Sequence, residues 1–289
     1  MKILVAVDHN PYSSYAVGEV SKLAANTWAN IILLGVQPSG NKKRMAEAEG
    51  PSARALLELR DNFLANFDEK SCPYAKTNAG RKLAEVKKGV YELSLPSNPP
   101  KKELKARLRT GNPGKEILSE AREEECDLIV LGCDHLNGCG WESGAGVPRK
   151  VANDAPCSVL VVKEKSRVER IICCLDHDRV SQPSLEMINQ MVTLYNAKLT
   201  IVGLSEGQQL KAEVEKKMDA LLRFYHDRGI DPWIELVEVT SLDSFITKAS
   251  RWGLMALWMG KKSILEKALP RSKVNKLIKG GDASVLILR

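Results

Sequence analysis

Long apolar runs are missing from this 289-residue sequence. The longest, such as Leu128–Gly132 and Ile171–Leu175, have the length of a strand. A membrane-crossing helix needs about 20 apolar residues, so no such helix is expected. Met1-Lys2 leads at once into Ile3–Val7, a run too short for a secretory h-region and without its cleavage site. That predicts a cytoplasmic protein with no membrane partner. Aromatic residues make up only 5%, and they do not interleave with the basic stretches Lys101–Arg109 and Lys261–Lys279. Those stretches contain Glu103 and Glu266, so the net charge of +7 reads as a solvated surface and points away from nucleic acid. The seven cysteines are odd in number and several sit beside strand-like runs, which predicts reduced thiols and not a disulfide framework. There is no Gly-x-x-x-x-Gly-Lys-Ser/Thr loop, and no Ser/His/Asp or paired-carboxylate arrangement can be argued from spacing. Catalytic residues are therefore not assigned and the chain is read as a non-enzyme. Slow ATP hydrolysis would lack an assigned base.

What is present is a repeat. Ile3–Val7 followed by Asp8-His9 reappears as Ile171–Leu175 followed by Asp176-His177, at an offset of 168 (176 − 8). Ile31–Val36 reappears as Leu199–Leu204 at the same offset (204 − 36). Asp127–Gly132 reappears as Met255–Gly260 at 128 (260 − 132), and Val159–Val162 as Val285–Leu288 at 126 (285 − 159). The falling offset leaves about forty extra residues (168 − 128 = 40) in the first half. They are placed at about 68–102, where Ala84–Leu93 reads as a hairpin around Lys88-Gly89 and Pro96–Pro100 as an extended loop.

The repeated runs are continuous and rich in Val, Ile and Leu, the habit of parallel strands buried on both faces. Helical spacing lies between them, over Tyr15–Ala24, Glu116–Cys126, Pro183–Leu194 and Leu210–Tyr225. Strand–helix alternation predicts an α/β fold of two tandem doubly wound, Rossmann-like parallel sheets, 1–165 and 166–289, with the boundary near Glu164–Arg167.

In such sheets a ligand sits beyond the carboxyl ends of the strands. Asp8, Val36 and the loop Gly132–Gly146 occupy those positions in the first half. A helix is expected from Pro148, with its free amides facing the glycine-rich loop as an anion site that Arg149 and Lys150 could reinforce. Asp8 and Asp176 also fit a plainer role, capping the helix that follows each. Cys133, His135 and Cys139 share one loop but match no common zinc spacing, so no metal ligands are assigned.

The chain resembles a tandem universal stress protein. The resemblance rests on Val5–Asp8, Gly111–Leu118, Asp127–Gly132 and Ala155–Val162, and covers both halves except the insertion. It implies an adenine nucleotide, ATP or AMP, with magnesium accompanying ATP. By that resemblance Val7 and Val36 lie beside adenine and Asp8 beside ribose or phosphate. The family loop Gly-x2-Gly-x9-Gly-Ser/Thr holds ribose and phosphates. Here Gly132 keeps its first glycine, His135 stands at the second, Ala145 at the third and Gly146 at the hydroxyl position. Gly138, Gly144 and Val147 complete the candidate set, with Gly140 and Ser143 near. In the second half the counterparts are Asp176, Leu204, Gly260 and Ser272, with Arg271 in place of a glycine. The resemblance further implies a stress-response regulator with a protein partner, halves packed as a pseudo-dimer through their last strands, and a homodimer. The alternative is an interaction or scaffold protein whose degenerate phosphate loops no longer hold nucleotide.

Overall fold

The structure is a computed structural model that describes residues 1–37, 50–68, 70–74, 83–93, 101–134, 146–164, 168–175, 181–205, 212–249, 253–259, 265, 269–280 and 283–289. The chain divides into two compact units, Met1–Glu164 and Lys165–Arg289.

The first unit is built on β1 (Lys2–Val7), β2 (Asn30–Gln37), β5 (Leu104–Thr110), β6 (Leu128–Cys133) and β7 (Ser158–Lys163). They pair in parallel in the order β7-β6-β1-β2-β5. Every residue of β6 and β7 is buried, which explains why these strands read as unbroken apolar runs. Helices α1 (Pro11–Asn26), α2 (Pro51–Ala65), α3 (Pro113–Glu123) and α4 (Val147–Asp154) cover the sheet. Pro148 is the second residue of α4, one step inside the start expected for it. The hairpin predicted in the insertion is present. β3 (Leu83–Lys87) and β4 (Val90–Leu93) pair antiparallel around Gly89, whose φ of +74° suits glycine, and β4 adds antiparallel to β5. The extended loop Pro96–Pro100 lies outside the described residues.

β5 corrects the reading of Lys101–Arg109 as a solvated basic stretch. Leu104, Ala106 and Leu108 point into the core. Lys105, Arg107 and Arg109 alternate with them and meet the acidic side of α3. Arg109 donates to Glu116 (2.8 Å), Glu120 (2.6 Å) and Glu123 (3.2 Å), and Arg107 to Glu120 (2.6 Å), Glu92 and Glu124. Lys2 and Lys105 each pair with Glu124 at 3.2 Å. Glu120 itself is fully buried. Lys2, Lys105, Arg107 and Arg109 are thus matched by carboxylates, while Lys101 stays exposed.

The second unit has β8 (Arg170–Cys174), β9 (Lys198–Ser205), β10 (Trp233–Glu238), β11 (Leu254–Trp258) and β12 (Val285–Leu288), all parallel, in the order β10-β9-β8-β11-β12. Its helices are α5 (Gln182–Tyr195), α6 (Ala212–His226), α7 (Leu242–Ala249) and α8 (Arg271–Gly280). Strand for strand this is the order of the first unit without its hairpin.

Register corrects one sequence equivalence. Leu254 pairs with Ile171 as Leu128 pairs with Ile3, and Met255 pairs with Val285 as Ile129 pairs with Val159. β11 therefore repeats β6 at an offset of 126 (254 − 128), the same as β12 on β7 (285 − 159), and not at 128. The glycines Gly132 and Gly260 had set the other alignment. In the sheets, the counterpart of Gly132 is Trp258.

Candidate functional site

Strand order reverses at β1 and β6, which run side by side while their crossovers leave in opposite directions. A crevice at the carboxyl ends of such strands is where ligands bind in open α/β sheets. Val7, Asp8, Gly132 and Cys133 stand at this switch point, with Val36 and Gln37 at the end of β2 and Thr110 at the end of β5.

Asp8 does not cap α1, as the plainer reading had it. The N-cap is Asn10, whose side chain makes no cap hydrogen bond. The Asp8 carboxylate instead organises the turn. It accepts from the Asn10 amide (3.0 Å), Asn10 Nδ2 (2.7 Å), Tyr12 OH (2.6 Å) and Ser13 Oγ (2.8 Å), while its own amide donates to Ser13 Oγ (3.0 Å). His9 beside it is exposed.

Gly132 is glycine for a reason inside the fold. A β-carbon there would lie 2.3 Å from the Tyr12 carbonyl oxygen and 2.8 Å from Tyr12 Cδ2. The first turn of α1 thus rests directly on the end of β6. Gly146 is the N-cap of α4, with open space where a side chain would stand, and Val147 behind it is buried. His135, Gly138 and Gly144 lie outside the described residues, as do Asp176 and Gly260. In the second unit Leu204 is buried near the end of β9, and Ser272 is exposed in the first turn of α8.

Cys133 is disulfide-bonded, which corrects the expectation that all the thiols are reduced. The buried Lys163, its cross-strand neighbour, donates to Cys133 Sγ at 3.2 Å and contacts the Asp134 carbonyl oxygen at 3.5 Å. Cys72, Cys126, Cys157, Cys173 and Cys174 form no disulfide. Burial pushes the Cys174 thiol up to about 12, so it stays protonated at neutral pH.

Two groups escaped the sequence reading. Gln37 Nε2 and Thr110 Oγ1 are buried and have no hydrogen-bond partner. Their residues are directly paired across β2 and β5, one step past Val36, and the Gly111 amide donates to the Gln37 carbonyl at 2.9 Å. Gly111 has a φ of +154° and leads to Asn112, which caps α3 by accepting from the Lys115 amide at 3.2 Å. Native proteins rarely leave buried polar atoms unpaired without a reason. The only sequence signal was position: polar residues closing two adjacent apolar strands.

Fold and site together define a doubly wound α/β protein with a switch-point crevice. The chain belongs to the universal stress protein family, whose model matches residues 1–163. It is 28% identical over 165 residues to universal stress protein YxiE of Bacillus subtilis, which covers 56% of this chain and 98% of that protein. It is 30% identical over 135 residues to a Thermus aquaticus universal stress protein, covering 46% of this chain and 97% of the relative. Among solved structures, a universal stress protein from Archaeoglobus fulgidus matches 100% of this chain and 98% of its own at a TM-score of 0.59 and 12% identity. A putative universal stress protein from Pseudomonas aeruginosa matches 99% and 92% at 0.60 and 14%. At such identities these two speak for the fold alone.

Proposed function

We propose that the chain is a tandem universal stress protein, a non-enzymatic regulator of the stress response that holds an adenine nucleotide, ATP or AMP, in its first unit. The observation that carries this is the pair Gln37 Nε2 and Thr110 Oγ1, buried and unpartnered at adjoining strand ends beside Val36. A purine offers ring nitrogens and an exocyclic amine to such groups, and Val36 and Val7 offer its faces an apolar wall. The α4 N-terminus behind Gly146 supplies free amides and the positive end of the helix dipole to phosphates. Magnesium would accompany ATP, and bound nucleotide would set the contacts with a regulatory protein partner in the cytoplasm.

The second reading is an interaction protein without nucleotide. It is favoured by Asp8, whose carboxylate already accepts four hydrogen bonds from its own turn and needs no ribose to satisfy it. Mass spectrometry of small molecules released from freshly purified, heat-denatured protein separates the two. Retained ATP or AMP supports the first reading. No released nucleotide, and no heat on titration with ATP, ADP or AMP in magnesium, supports the second.

A further inference from the structure

Cys133 closes β6 at the switch point of the first unit and pairs across the sheet with Lys163, the last residue of β7. Both are buried, at 0% and 2% exposure, and Lys163 Nζ stands 3.2 Å from Cys133 Sγ. The sheet itself does not demand this pair. At the offset of 126 that relates β11 to β6 and β12 to β7, the second unit has Met259 (259 − 133) and Arg289 (289 − 163). Met259 can neither form a disulfide nor ionise. Cys133 is disulfide-bonded, and five of the seven cysteines form no disulfide. By elimination its partner is Cys139, which lies outside the described residues. One disulfide beside five thiols is no structural framework. In a chain that keeps its other thiols reduced, such a bond belongs to the redox-active kind. Two other buried thiols are inert by contrast, because burial pushes Cys126 and Cys174 up to about 12.

We infer that the Cys133 disulfide is a redox-active site that exchanges with an external dithiol, and that Lys163 holds the Cys133 sulfur as a thiolate once the bond opens. Cys133 has no exposed surface, so the incoming thiolate attacks the other sulfur, that of Cys139. The S–S bond breaks and its electron pair leaves on Cys133, facing the Lys163 amine. The second thiol of the reductant then attacks the mixed disulfide, releasing Cys139 as a thiol and the reductant as its own disulfide. Two electrons enter the protein. Of the two protons the dithiol gives up, one ends on Cys139 and one in solvent. A cation beside the leaving sulfur favours this exchange, since it stabilises the thiolate. The reaction needs no bound nucleotide.

The test is equilibration of the full chain with dithiothreitol and its oxidised form at neutral pH. Samples are quenched with acid, denatured, alkylated and read by peptide mass spectrometry. Wild-type protein purified without reductant is expected to carry the Cys133–Cys139 bond, to lose it in excess dithiothreitol and to regain it in the oxidised form. Lys163→Met is expected to shift the equilibrium about ten-fold toward the disulfide, the effect of returning a cation-lowered thiol to its ordinary range. Lys163→Arg, which keeps the charge, is expected to restore most of the wild-type position. An unchanged equilibrium in Lys163→Met would overturn the role of Lys163. Cys133 recovered as a thiol from protein purified in air, or a bond that resists excess dithiothreitol in the folded chain, would overturn the site itself. Both of these are read on the wild type, so they decide the matter even where a variant does not fold.

Discussion

The carbonyl oxygen of Tyr12 lies 2.3 Å from the point where a β-carbon on Gly132 would stand. Helix α1 and strand β6 therefore meet backbone to backbone at the mouth of the candidate site. Gly132→Ala is expected to lose about 2–3 kcal/mol of stability, the scale of forced overpacking. Urea unfolding checks this; a loss below about 0.5 kcal/mol, within ordinary surface-substitution effects, would show that α1 yields freely. The same clash makes this glycine a poor probe of ligand binding, because its variants disturb the fold first.

The better probes are Thr110→Val and Gln37→Leu. Each removes a buried polar atom that has no partner in the free protein. Stability should stay level or rise by about 1 kcal/mol, since an unpaired buried group costs desolvation free energy. Nucleotide affinity should fall about ten-fold for each, the worth of one hydrogen bond of about 1.4 kcal/mol. Calorimetric titration beside thermal unfolding separates the two effects. Unchanged affinity in both variants would remove these groups from the site.

Glu120 is fully buried and accepts from Arg107 and Arg109, both at 2.6 Å. Glu120→Gln leaves two largely buried guanidinium groups short of a counter-charge. The expected cost is about 3 kcal/mol, typical of breaking a buried ion pair by removing one partner. Urea unfolding of the variant measures it, and a cost under 1 kcal/mol would mean that the neighbouring Glu116, Glu123 and Glu124 absorb the charge.

The same network sets an acid dependence. Hydrogen bonds from Arg109 and then Lys87 hold the Glu123 carboxyl at about 2. Burial alone would push Glu124 up, but Arg107, with Lys2 and Lys105 beside it, holds it at about 2 as well. A carboxyl depressed from an ordinary 4.5 contributes stability that is fully present above pH 4.5 and is lost as pH falls through about 2. The melting temperature should therefore begin to fall below pH 4.5 and go on falling toward pH 2. The double variant Arg107→Met, Arg109→Met should flatten this slope. Parallel curves for the two proteins would assign the acid dependence elsewhere.

Tyr225 is wholly buried in the second unit and its hydroxyl has no hydrogen-bond partner. Burial pushes its phenol well above the ordinary range, with the nearby Cys173 adding to the shift. Tyr225→Phe should be neutral or stabilising by up to about 1 kcal/mol, because it removes an unsatisfied donor at almost constant volume. A clear loss in thermal unfolding would reveal a partner for the hydroxyl.

The central strands were legible because burial on both faces writes them as unbroken apolar runs: β1, β2, β6, β7, β8, β9, β11 and β12. β5 was not. Its Lys105, Arg107 and Arg109 alternate with core residues and find their carboxylates on α3, a match that only the folded chain brings together. β10 was missed because it has a neighbour on one side only, and Trp233 and Leu236 remain exposed on it. Around the candidate site, the positions of Asp8, Val36 and Gly132 at or beside strand ends were legible from the apolar runs they close. The four bonds that occupy Asp8 and the unpaired atoms of Gln37 and Thr110 are facts of geometry with no sequence signature. The equivalence of Gly132 with Gly260 failed by two residues, because identity of residue type outweighed register until the strand pairs fixed it.

The most direct test of the account is calorimetric titration of the full chain with ATP in magnesium, repeated with AMP. The account predicts saturable binding of at least one of them at one nucleotide per chain, weakened about ten-fold by Thr110→Val. No heat with either nucleotide, from protein shown by mass spectrometry to carry none, would contradict it and leave the chain an interaction protein built on two diverged copies of one sheet.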